Sequence, residues 1–327
     1  MAKARTCLVA AMALGTLSLA AHAEKWDMPL AYPAANYHSI NAADFGTCVH
    51  DKTSGKLDIV THPNGSLFGG DDIKRAVQTG QVNIGERVLS AHENENPIYG
   101  LEAIPFLATS FDASDKLWKA GLPVMEEVLD KQNLVYLYSV PWPSSDLYTK
   151  KEIHTMDDLK GIKFRTYNAA QTRIAELTGL VPVQVEAADL SQALATGVVD
   201  AIMTSSTTGV DSKVWESGLK YYYAVQAWLP RNTVFVNKKV WNGLDDATRA
   251  ALVECGNEAY DRGLQTAKDL SAQYQQKLVD NGIQVLEPSA DLKQGLAKVG
   301  ETMTTEWLQK AGADGQKILD AYRKPQS

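Results

Sequence analysis

The segment GIKFRTYN, Gly161 to Asn168, places Lys163 and Arg165 two residues apart on a short strand-like run, and a helical run, AAQTRIAEL, follows at once. Asn168 stands where a helix N-cap belongs, since its side chain can accept from the first unpaired amides. A guanidinium at a strand end and a helix N-terminus beside it both favour an anion, and the guanidinium fork matches a carboxylate in two hydrogen bonds. The bland alternative for Arg165 is a surface strand residue paired with Glu or Asp.

Ligands of open α/β lobes sit outside the carboxyl ends of the strands, so other strand ends supply further candidates. Glu86 closes the run QVNIGE. Thr204, Ser205, Ser206 and Thr207 lie in AIMTSSTTG, and Asn36, Tyr37 and His38 lie in ANYHS after the first strand-like run. Aromatic residues gather at PWPSS around Trp142, at VWESGLKYYY with Trp215 and Tyr221 to Tyr223, and at QAWLPRN, which holds Trp228 and Asn232. Most such rings pack in cores, but one beside a crossover between lobes can wall a pocket for an apolar or ring-shaped ligand.

Catalytic signatures are missing from the sequence. There is no G-x-S-x-G, H-E-x-x-H, phosphate-binding P-loop or G-x-G-x-x-G pattern. His38, His50, His62, His92 and His154 are scattered without metal-ligand spacing, and HENEN reads as a solvated loop before Pro97. No cofactor or metal is expected.

These groups need a scaffold. The chain has 327 residues and a formal net charge of -7. That balance disfavours nucleic acid and anionic membrane surfaces as partners, so an anionic ligand requires a local cationic pocket. Lys3 and Arg5 precede an apolar run from Cys7 to Ala20, and Ala21-His22-Ala23 has the form of a cleavage site. Residues 1–23 therefore read as a secretory signal peptide rather than a membrane span. Cys48 and Cys255 remain beyond it. In an oxidising compartment they can pair, and two free buried thiols are the other option.

Strand-like and helix-like runs alternate, the mark of an α/β fold. Two units match without a gap, DDIKRAVQTGQVNIGE and ADLSQALATGVVDAIM. Ile73, Ala76 and Val77 stand opposite Leu190, Ala193 and Leu194, and Gly80 stands opposite Gly197. Each unit is an amphipathic helix, a glycine stop and a strand, which suggests two similar lobes. A further run, from Leu244 to Gly282, is uninterrupted by proline. As one helix of about 34 residues it spans roughly 50 Å, more than the ~30–40 Å of one lobe, so it bends or crosses both. Gly256 and Gly263 are the candidate bend points.

Together these features resemble the solute-binding proteins of TRAP (tripartite ATP-independent periplasmic) transporters, over nearly the whole chain beyond residue 23. The most specific stretch is Asp157 to Ala201, with a Leu-x-Gly-x-Lys-x-Arg strand, a helix ending near Gly and a Leu-x-x-Gly-x-x-Asp return. The resemblance implies a two-lobed periplasmic binding-protein fold, closing on a ligand in a cleft between lobes. Residues 24–142 and 230–269 would form lobe I, and 143–229 and 270–327 lobe II. It also implies a non-enzymatic receptor in the periplasm, with a small-molecule carboxylate ligand and small and large integral membrane subunits as partners. Arg165 falls on the family's carboxylate-clamping arginine. Ser145 stands where sialic-acid-type members have a second arginine, and IMTSSTTG replaces the Asn-Pro of many members. These departures point to a monocarboxylate with an uncharged, aromatic or hydroxylated body. The rival class is a secreted enzyme acting on small organic acids.

Overall fold

The computed structural model describes residues 23–324. The expected signal peptide falls outside the described residues except for its final position. In chain order the strands are β1 (Glu24–Pro29), β2 (Leu57–His62), β3 (Ile84–Val88), β4 (Leu134–Pro141), β5 (Asp146–Thr149), β6 (Lys163–Thr166), β7 (Val181–Gln184), β8 (Ala201–Thr204), β9 (Tyr221–Tyr223), β10 (Arg231–Asn237) and β11 (Gln284–Leu286). The helices are α1 (Tyr37–Lys52), α2 (Gly70–Gln78), α3 (Phe111–Lys131), α4 (Ala169–Thr178), α5 (Leu190–Ala195), α6 (Ser206–Asp211), α7 (Lys238–Gly243), α8 (Asp246–Asp280) and α9 (Ala290–Arg323).

The strands divide between two lobes. One lobe holds the parallel pair β1-β2 and the antiparallel sheet β3-β10-β4; the other holds a six-stranded sheet in the order β11-β9-β5-β8-β6-β7. The matched sequence units fall one in each lobe, as α2 with β3 and α5 with β8. In both, the helix face is buried (Ile73, Ala76, Val77; Leu190, Ala193, Leu194). In both, the glycine after the helix has a left-handed backbone, φ +74° at Gly80 and +70° at Gly197. That conformation costs a side-chain-bearing residue free energy, which is why glycine punctuates both units.

Two extended segments cross between the lobes side by side. Trp142 N–H donates to Pro230 C=O (2.7 Å), Ser145 N–H to Trp228 C=O (2.8 Å) and Ala227 N–H to Ser145 C=O (3.0 Å). Helix α8 crosses as well. Asp245 caps it through the Thr248 amide (2.7 Å). Leu252, Cys255, Ala259 and Ala267 enter the core around Trp26 and Phe45, and Leu278 enters the core around Tyr148 and Ile202. Gly256 and Gly263 serve close packing. A Cβ on Gly263 would stand 2.6 Å from Val140 Cγ1, and one on Gly256 3.4 Å from Tyr138 Cδ1. They let α8 lie directly on β4.

Helix α9 also bridges. Leu292, Leu296, Val299 and Met303 pack with Phe164 and Met203, while Trp307, Ile318 and Leu319 pack with the α3 side of the other lobe. Of the two options left open for the cysteines, the structure shows the bond. Cys48 of α1 and Cys255 of α8 are joined, with Cα atoms 5.8 Å apart.

Candidate functional site

Strand β6 runs between β8 and β7 in the larger sheet. Phe164 points into the lobe core, so alternation aims Arg165 at the opposite face, toward the cleft. Arg165 is 4% exposed. Its Nε donates to Val185 C=O at 2.9 Å, and its guanidinium carbon lies 4.6 Å from the Tyr167 ring centroid. Burial pulls its pKa below the ordinary arginine value, against the opposing influence of Tyr167, Glu186 and Tyr32. Asp71 and Glu186 are both bonded to another arginine, Arg87. Among the described residues Arg165 enters no ion pair. A desolvated guanidinium in no ion pair has the charge and the donors to pair with a carboxylate.

Arg165 lines a cavity of about 40 Å³ between the lobes. Trp142, Ser145, Thr204 and Ser205, all expected from the sequence, share its wall. Tyr32, Arg87, Tyr167, Glu186 and Thr208 line it too and were missed by the sequence reading. One signal was available for Arg87. The gapless match of the two helix–Gly–strand units sets Arg87 opposite Thr204 and Glu86 opposite Met203. Arg87 and Thr204 both face the cavity, whereas Glu86 and Met203 both face inward.

The remaining expected residues lie beside or behind this wall. Glu86, 1% exposed, turns into its lobe because its neighbour Arg87 takes the cleft face of β3. Its Oε1 accepts from Asn232 Nδ2 at 2.7 Å, and Asn232 Oδ1 accepts from Trp142 Nε1 at 2.9 Å. Glu86 and Asn232 thus hold the indole that walls the cavity. Burial raises the Glu86 pKa to about 8, the Asn232 bond opposing this only in part. His38 stacks on the other side of Trp142, centroids 4.1 Å apart, and burial holds its pKa well below the ordinary histidine value. Tyr37 donates its hydroxyl proton to Pro141 C=O (2.6 Å). Trp228 is 1% exposed in the core of the larger-sheet lobe, fixed by the crossover bond from Ser145.

Asn168 is the N-cap of α4, accepting from Gln171 N–H at 2.9 Å, and its Nδ2 reaches across the cleft to Ser90 Oγ at 3.1 Å. Asn36 caps α1 through the His38 amide (2.9 Å), and its Nδ2 donates across the cleft to Asp211 Oδ2 at 2.7 Å. Arg87 spans the same gap. Its Nη2 lies 2.7 Å from Asp71 Oδ1 on its own lobe and 3.2 Å from Glu186 Oε2 on the other. Burial works against the Arg87 charge, but Glu186, Tyr32 and Asp71 outweigh it and the pKa is raised. The lobes therefore touch through polar contacts around a small cavity that holds, among the described residues, one cation without an ion pair.

Two lobes, paired crossover segments, a helix spanning both and a cleft arginine define a solute-binding protein. The chain matches the model of the DctP family, bacterial extracellular solute-binding protein family 7, over residues 31–310, and belongs to that family. It is the solute-binding component of a TRAP-type system. Among solved structures, a marine metagenome TRAP solute-binding protein specific for pyroglutamate is 48% identical, with a TM-score of 0.91 over 93% of this chain and 100% of that one. DctP6 of Bordetella pertussis, an extracytoplasmic solute receptor binding pyroglutamic acid, is 46% identical, with a TM-score of 0.91 over 92% and 100%. The sialic acid-binding periplasmic protein SiaP of Vibrio cholerae is 24% identical over 88% of this chain and 92% of its own length.

Proposed function

We propose that the protein is the periplasmic receptor of a TRAP transporter and captures a small monocarboxylate with an uncharged body, of the pyroglutamate kind. The observation that carries this reading is Arg165, buried at the cavity and in no ion pair among the described residues. The ligand carboxylate takes the free edge of its guanidinium. The uncharged part lies among Trp142, Tyr32, Ser145, Thr204 and Ser205, a wall that offers two aromatic side chains and four hydroxyl groups, one of them the phenol of Tyr32. The cavity volume of about 40 Å³ corresponds to about three or four water-sized spheres, which suits a small acid rather than an oligosaccharide. The pyroglutamate ligands of the two similar structures support the same class. Their lactam is an uncharged body without an aromatic ring or a hydroxyl, which supports the uncharged monocarboxylate expected from sequence and lends no support to the aromatic or hydroxylated body.

In this reading residues 1–23 direct export and are removed, and the loaded receptor delivers its acid to small and large integral membrane subunits for secondary-active uptake. It performs no chemistry on the ligand. Lobe I comprises residues 24–142 and 230–269, and lobe II 143–229 and the segment from 270. The end of α9 is the exception to the expected 270–327 assignment: Trp307, Ile318 and Leu319 pack in the lobe I core, which favours placing it there.

The test is mass spectrometry of small molecules released from the purified protein, followed by a thermal-shift screen of organic acids. Pyroglutamate or a similar cyclic monocarboxylate, with matching stabilisation on re-addition, is the expected result. Turnover of an acid that gives no stabilisation would replace the receptor by the enzyme reading.

A further inference from the structure

We propose that Arg87 and Glu186, bonded to each other across the cleft, make the site reject acids that carry a second carboxylate. The inference rests on the reading that one carboxylate sits on Arg165.

The cavity is lined by two guanidiniums, those of Arg165 and Arg87. Left to themselves, two such groups facing one small cavity would suit a dicarboxylate. Arg87 is not left to itself. Its Nη2 bonds Asp71 Oδ1 at 2.7 Å and Glu186 at 3.2 and 3.3 Å. One guanidinium held against two carboxylates leaves that end of the cavity with a net negative charge. Glu186 itself lines the cavity, so a second ligand carboxylate there meets a fixed carboxylate rather than a free cation. In a cleft that excludes water, that repulsion is weakly screened. A neutral group with an N–H meets an acceptor instead, which is what a lactam presents.

The arrangement is built into the backbone. A Cβ on Gly70 would stand 2.5 Å from Arg87 Nη1 and 2.6 Å from Glu186 Oε2. The start of α2 therefore has to be bare for the two side chains to meet. Arg87 is 2% exposed, and its acid partners among the described residues are Asp71 on its own lobe and Glu186 on the other. The pair also joins residues 99 positions apart on different lobes, so it forms only while the lobes are together.

The experiment is calorimetric titration of wild type, Glu186→Gln and Asp71→Asn with pyroglutamate and with glutarate, which places a second carboxylate where pyroglutamate has its ring amide. The quantity read is the ratio of the two affinities within each variant, since a folding defect lowers both together. Wild type should favour pyroglutamate by about 100-fold or more, a difference of ~2.7 kcal/mol. Glu186→Gln removes the fixed carboxylate and leaves Arg87 paired with Asp71 alone, so the ratio should shift toward glutarate by about tenfold or more, and Asp71→Asn should shift it in the same direction by less. Ratios unchanged in both variants would overturn the proposal. So would a wild type that binds glutarate as tightly as pyroglutamate, and that result would leave the role of Arg165 standing. Wild type binding neither acid would remove the proposed ligand class and this inference with it.

Discussion

Asn36, at the start of the first helix, donates a 2.7 Å hydrogen bond to Asp211 on the opposite lobe. With Asn168–Ser90 and Arg87–Glu186 it forms a set of contacts that exists only while the lobes are together. A bond to a charged partner contributes ~1.5–3 kcal/mol. If that stabilises only the closed form, Asp211→Ala should lower ligand affinity by about tenfold or more, because less of the protein is poised to bind. Its unfolding midpoint in denaturant should move little. Calorimetry and denaturation on the same preparation check this. Equal losses in affinity and midpoint would mean the contact supports the fold rather than closure.

Closure itself predicts a change of size. A ligand that touches both lobes favours the compact state. Small-angle scattering should show a smaller radius of gyration with a confirmed acid than without it. An unchanged radius, together with a normal binding isotherm, would mean the cleft is already shut before the ligand arrives.

Glu86 makes stability fall with pH near neutrality. Burial raises its folded pKa from 4.5 to about 8, so between these values the folded state holds a proton that the unfolded state releases. Raising pH through this window therefore lowers stability. Glu102 has the same sign for the same reason, burial raising it to about 8. His38 and His92 are both depressed by burial and contribute in the opposite direction, but only below about pH 6.5, where the unfolded chain protonates them. The clean window is pH 6.5 to 8. Thermal unfolding of wild type should shift downward across it, and Glu86→Gln, which cannot titrate, should shift less. Identical slopes would place the titration elsewhere.

The disulfide ties α1 to α8 within one lobe and closes a sequence separation of 207 residues. Its reduction should lower stability by about 2–4 kcal/mol, measured as the denaturant midpoint with and without reductant. Affinity of the still-folded reduced protein should stay within about twofold, an unresolved few tenths of a kcal/mol, because neither cysteine borders the cavity. A large loss of affinity with little loss of stability would contradict this placement.

What was legible in the sequence was local. The period of Ile73, Ala76 and Val77, the stop at Gly80 and the cap at Asn168 each depend on neighbours within four residues, and each appears in the structure as read. The placement of Arg165 at the cavity is legible because its strand, its cap and its family position lie within one short segment. At the end of β3 the sequence points to Glu86 rather than Arg87, because one residue of phase decides which side chain faces the cleft. That phase was set by a partner strand, β10, far along the chain. Glu186 and Tyr32 stand in connecting segments with no periodicity to reveal them, and their meeting at the cavity depends on how two lobes close. The sequence left the cysteine pairing open for the same reason, since it does not specify how far α1 lies from α8.

The most direct measurement is calorimetry of folded Arg165→Ala and Arg165→Lys with the acid the wild type binds. Arg165 is buried at the cavity and enters no ion pair among the described residues. Removing one partner of a buried, hydrogen-bonded charge pair costs ~2–5 kcal/mol, a loss of roughly 30- to several-thousand-fold in affinity. Arg165→Ala should show that loss with folded-state stability unchanged or raised, and Arg165→Lys should bind clearly worse than wild type because a single ammonium cannot reproduce the two-pronged contact. Near-wild-type affinity in the folded Arg165→Ala protein would contradict the account and move the carboxylate to another part of the cavity.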